Sequence, residues 1–69
     1  MNRRTIRRLA DVVEASRAYG CLVTAGDVSL ALRLSRDAAR RRLAALRDLG
    51  MARPVGRERD GSALWEVTP

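Results

Sequence analysis

Between Ser35 and Gly50 the chain reads SRDAARRRLAALRDLG, a stretch that only a helix organises well. Ala39, Leu43 and Leu46 recur at spacings of four and three, the repeat that brings side chains to one face of an α-helix. Ser35 supplies a hydroxyl where the first free backbone amides need an acceptor, Asp37 puts negative charge in the first turn, and Gly50 follows the last apolar residue, Leu49. So narrow an apolar stripe must lie on other elements and turn its charged side outward. Advancing about 100° per residue, the outer face carries Asp37, Arg41, Ala44 and Asp48, with Arg40 on one flank and Arg36 at the open first turn.

The segments that could cover the stripe lie on both sides of it. From Thr5 to Ala18, the apolar residues Ile6, Leu9, Ala10 and Val13 fall on one helical face, and Gly20 stands where a helix-closing residue belongs. This predicts a first helix over about 5–18, with Tyr19 packing at its end. CLVT, at 21–24, is short and partly β-branched. The Thr24 hydroxyl suits the cap of a second helix over about 25–33, with Asp27 three residues on as the other half of a capping box. Its inward face would be Val28, Leu32 and either Ala31 or Ser29. The third helix then runs over about 36–49. After Gly50 come two strand-like runs, MARPVG and SALWEV, separated by RERDG, in which Asp60-Gly61 is a hairpin turn signal. The hairpin spans about 51–67, and Trp65 and Val67, two apart, point to one side and close over the helices.

A chain of 69 residues is one domain, 1–69, and a core of this size buries only about 60% of the unfolded surface. That leaves little apolar material to line an internal cavity, and no small-molecule ligand is expected. The 14 basic residues are all arginine against 8 acidic ones, a net charge of +6, which favours a polyanionic partner. An Asp37–Arg41 pair at i,i+4 would add only about 0.3–0.5 kcal/mol, too little to account for so much charge on one helix. There is no histidine. The single cysteine, Cys21, has no disulfide partner and no zinc-ligand neighbours, and reads as a small buried hydrophobe. No nucleophile–base or acid–base pair is visible, so neither an enzyme nor a cofactor is expected, and no metal site. No apolar run approaches the roughly 20 residues of a membrane span, and no signal-peptide core follows Met1, which predicts a soluble, cytoplasmic protein outside any membrane.

Three helices with a tight turn between the second and third, followed by a two-stranded hairpin, give a mostly α chain whose order is similar to that of winged helix-turn-helix domains. DVSLALRLS resembles that family's second helix and turn, RDAARRRLAALRDLGM its recognition helix, and ALWEVT its closing wing strand; together they span about Thr5 to Thr68. Arg33 stands in the turn where the family often has glycine, and Leu30 falls on a side of the second helix that is normally exposed.

The resemblance implies a third helix in the major groove of double-stranded DNA and a wing on the neighbouring backbone. Carried over by position, Arg40 and Arg41 face the DNA, with Arg41 the best placed for a two-point contact to guanine. Arg36 and the Ser35 hydroxyl meet phosphates, Arg57 and Arg59 hold the wing to the backbone, and Asp37 orients Arg41, accepts from a cytosine amino group or is simply a helix-start charge, the first being favoured. Arg42 is a rim residue. Arg3, Arg4, Arg7 and Arg8 form a second basic cluster, open to phosphates or to counterions alone. The expected function is sequence-specific DNA binding as a small transcriptional regulator. A homodimer is expected, joined through the first helix and the side near Leu30. A winged-helix protein-interaction module and a non-specific nucleic-acid binder are the alternatives.

Overall fold

The computed structural model describes residues 1–68. In chain order it contains α1 (Arg3–Arg17), β1 (Leu22–Val23), α2 (Ala25–Leu32), α3 (Arg36–Asp48), β2 (Ala52–Arg57) and β3 (Ala63–Val67). Three helices thus pack with a three-stranded antiparallel sheet of order β1-β3-β2. The expected two-stranded hairpin is present as β2 and β3, and CLVT adds a third strand that sequence reading left as a connector. Leu22 pairs with Glu66 and Val23 with Trp65, while the Val67 amide donates to the Cys21 carbonyl at 2.9 Å. Two residues are too few to display an alternation, but burying Val23 completely lays its backbone along the otherwise free edge of β3.

The helix starts follow from their caps. Asn2 accepts the Thr5 amide at 2.8 Å, so α1 begins two residues before the expected Thr5. Thr24 and Asp27 complete a reciprocal capping box: Thr24 Oγ1 accepts the Asp27 amide at 3.1 Å and Asp27 Oδ2 accepts the Thr24 amide at 3.0 Å. Ser35 Oγ accepts the Ala38 amide at 3.1 Å at the start of α3. Between α2 and α3, Arg33 adopts φ 55° and ψ 49°, a left-handed conformation that suits glycine. Its amide and that of Leu34 both donate to the Ser29 carbonyl, which closes α2 within one residue.

The core gathers Leu9 and Val12 of α1, Val23, Val28 of α2, Ala39, Leu43 and Leu46 of α3, Ala52, Trp65 and Val67. The stripe of α3 and the inward placement of Trp65 and Val67 are as the sequence indicates. On α2, Val28 is buried and Ser29 and Leu32 are half-buried, while Ala31 is exposed. On α1 the expected face is displaced. Leu9, Val12 and Ser16 are buried and Val13 is half-buried, but Ile6 and Ala10 are exposed. Ser16 can occupy the core because its hydroxyl donates to the Val13 carbonyl at 2.7 Å. Tyr19 is 43% exposed rather than packed, and Cys21 is half-buried at φ 66° rather than a core residue. No helix among the described residues is long and apolar enough to cross a membrane.

At the far end of the sheet β2 bulges between Pro54 and Gly56 and turns into β3 through Arg59, Asp60 and Gly61. The Glu58 amide donates to Ser62 O at 2.8 Å and the Gly61 amide to Glu58 O at 3.0 Å, with Gly61 at φ 89°. This is a three-residue hairpin loop with glycine at its left-handed position.

Candidate nucleic-acid interface

The arginines of α3 diverge to its two sides. Arg36 and Arg40 project toward the start of α2 and the hairpin, where they line one depression together with Arg57, Asp60 and the small edge of Trp65 that its burial in the core leaves accessible. Three guanidinium groups here face one carboxylate. Arg36 lies over the first turn of α2: a Cβ built on Gly26 would stand 3.5 Å from Arg36 Nη2. Asp60 is held below the ordinary carboxylate range, chiefly because the Ser62 backbone amide and hydroxyl bond to it, with a smaller contribution from the Arg36 charge. Arg57 Nη1 donates to the Gly61 carbonyl at 2.8 Å, which ties that side chain across the hairpin loop.

Arg41 lies on the other side. It lines a groove between α1 and α3 with Arg8 and Arg42, and no carboxylate borders that groove. Arg3, Arg4 and Arg7 line a further shallow depression at the start of α1. The exposed ridge of α3 is thus flanked by arginines on both sides, each flank completed by a different element.

Several sequence-based assignments change in this light. Asp37 pairs with Arg40, its Oδ1 lying 3.4 Å from Arg40 Nη1, and not with Arg41. Arg41 has no such partner among the described residues and lies in the groove toward α1. Arg59 does not join Arg57: it borders an adjoining depression with Arg36, Asp27, Glu58 and Asp60, where three carboxylates outweigh two arginines. The Ser35 hydroxyl caps α3 by accepting the Ala38 amide, which leaves its proton to donate, as a contact to a phosphate oxygen requires. Arg42 is half-buried and lines the same groove as Arg8.

In the sequence Arg8 belongs to a separate cluster on the first helix. Its place beside Arg41 depends on how α1 crosses α3, which no local pattern records. Arg53, by contrast, is taken up on the outer face of the sheet, where Nε and Nη2 both approach Glu66 Oε1 at 2.8 Å.

Comparison with protein-family models, with curated proteins and with solved structures finds no match for this chain.

Proposed function

We propose that the chain is a winged helix-turn-helix protein that binds double-stranded DNA in a sequence-dependent manner, as a small cytoplasmic regulator of transcription. The N-terminal half of α3 enters the major groove and the β2–β3 hairpin serves as the wing. One observation carries the reading: the exposed ridge of α3 lies between two arginine-lined depressions, Arg36, Arg40 and Arg57 on one side and Arg8, Arg41 and Arg42 on the other. A major groove about 12 Å wide admits one helix and bounds it with two phosphate walls, which is the counterpart such a surface needs. A protein-docking surface has no comparable need for like charges on both sides of one helix.

Within that frame Arg41 is the free base-reading group and Arg40 a second one, held by Asp37. Arg36, Arg57, Arg8 and Arg42 meet phosphates. Recognition of a site longer than a few base pairs calls for two copies on half-sites roughly 34 Å apart, hence a homodimer. Enrichment of a random duplex library on the purified protein, at near-physiological salt with excess non-specific competitor, tests the reading. It expects a motif, and with Arg41→Ala a loss of about 1–3 kcal/mol concentrated at one base position. Equal affinity for every duplex would reduce the function to non-specific binding, and no affinity for any would overturn it.

A further inference from the structure

On α1 the fold leaves part of the sequence's apolar stripe uncovered. Ile6 is 55% exposed, Ala10 is exposed and Val13 is half-buried. At about 100° per residue these three centre roughly 90° from the buried stripe of Leu9, Val12 and Ser16. A single exposed apolar side chain is ordinary, but Ile6 and Ala10 together with the accessible edge of Val13, whose other side packs on the core, follow spacings of four and three and form a seam of the kind that two helices share. The seam also lies on nearly the opposite side of α1 from Arg8.

The charges beside the seam say what covers it. Arg7 follows Ile6 and Glu14 follows Val13, so the two occupy the same edge of the seam with opposite signs, and both are exposed. A pattern with one sign at each end is complementary to itself when reversed. We infer that a second copy of this chain docks antiparallel along α1, about a two-fold axis near Ala10. Ile6 then meets the second copy's Val13, Ala10 meets the second copy's Ala10, and Arg7 and Glu14 pair across the axis twice. A parallel arrangement, with its two-fold axis along the seam, places the Arg7–Glu14 edges of the two helices on opposite flanks, so neither charge meets its complement.

Arg3 and Arg17 fall at the two ends of the seam and face like charges there; Arg17 is already 3.7 Å from Glu14 of its own helix. These ends, with a seam of only about two turns, keep the contact below the roughly 1,200 Å² of a standard interface, so the pairing is reversible. Because Arg8 points the other way, both copies keep their arginine depressions open. The inference does not rest on nucleic-acid binding and is read on protein alone.

Sedimentation velocity over a range of protein and salt concentrations tests it. The expected result is a monomer–dimer equilibrium that weakens with salt. Ile6→Asp, Arg7→Glu and Glu14→Arg should each weaken pairing at least tenfold while circular dichroism shows the fold retained, since all three sites are exposed. An equimolar mixture of R7E and E14R should dimerise again, because both pairs between positions 7 and 14 in the mixed dimer are once more of opposite sign. A monomer at every concentration, a dimer indifferent to these substitutions, or a mixture that stays monomeric would each overturn the proposal.

Discussion

Arg8→Ala is the sharpest probe of the arginine surface, because Arg8 reaches α3 only through the tertiary fold. Six arginines line the two depressions beside α3: Arg36, Arg40 and Arg57 on one side, Arg8, Arg41 and Arg42 on the other. If Arg40 and Arg41 read base edges, four remain for phosphates. Each neutralised phosphate contributes about −0.9 to the slope of log affinity against log salt, so one copy should show a slope of about −3.6. A fourfold rise in salt then weakens binding about 150-fold. Without Arg8 the slope falls to about −2.7 and the same rise in salt costs about 40-fold. The variant's deficit at low salt should accordingly shrink about 3.5-fold as salt is raised, equally for every duplex. Fluorescence anisotropy of a labelled duplex through a salt series measures this, with Arg53→Ala as the control because Glu66 already holds Arg53. An unchanged slope for R8A, with the fold intact, would refute the assignment of the α1–α3 groove as a phosphate wall.

The α2–α3 turn offers a test of backbone strain. Arg33→Gly should relieve about 1–2 kcal/mol at φ 55° and lose about 0.5–1 to chain entropy, a net gain worth a few degrees in Tm; a lower Tm in a thermal melt would contradict it. Of the two hairpin arginines, Arg57→Ala should weaken duplex binding more than Arg59→Ala, since Arg59 sits among three carboxylates; the reverse order would show that the loop carboxylates do not govern Arg59. The Asp60 carboxyl is stabilised in its charged form by Ser62, so the loop hydrogen bonds it supports are intact at neutral pH and are lost only as pH falls through its depressed pKa. The Ser62 amide resonance should therefore inflect below the ordinary carboxylate range, and an inflection at or above that range would show that the contact is not held in solution.

What could be read from the sequence was what is decided within about four residues. The Thr24–Asp27 box and the Ser35 cap act over three residues and stand where their spacing put them. The same is true of Ala39, Leu43 and Leu46, whose helix has no competing apolar face. On α1 the sequence holds two overlapping stripes that share Leu9 and Val13. The choice between Ile6 with Ala10 and Val12 with Ser16 falls to the elements packed against the helix. The pairing of Leu22 and Val23 with β3, and the approach of Arg8 to Arg41 and Arg42, join segments far apart in the chain. The partner of Asp37 was a choice between two sites of similar reach, and propensity has no term that separates them.

The two flanks of α3 also differ in how firmly their arginines are held. Beside the hairpin two of the three guanidiniums have a bonded neighbour, Arg40 Asp37 and Arg57 the Gly61 carbonyl, while Arg36 lies over the first turn of α2. An arginine side chain carries about 2 kcal/mol of rotamer entropy, and contacts of this kind remove part of that freedom before any ligand arrives. Beside α1, Arg8, Arg41 and Arg42 border a groove without a carboxylate, so their mutual repulsion is uncompensated until an anion enters. On the proposed reading these properties divide the work. The held arginines fix the register of the helix on the duplex, where geometry matters more than charge. The unpaired ones supply the attraction that depends on salt, where a neutralised phosphate counts for more than the angle at which it is met. Arg41 belongs to the second group by environment and to the ridge of α3 by position, which is why a base contact from it would form only in the complex and would draw on the attraction of its neighbours to do so.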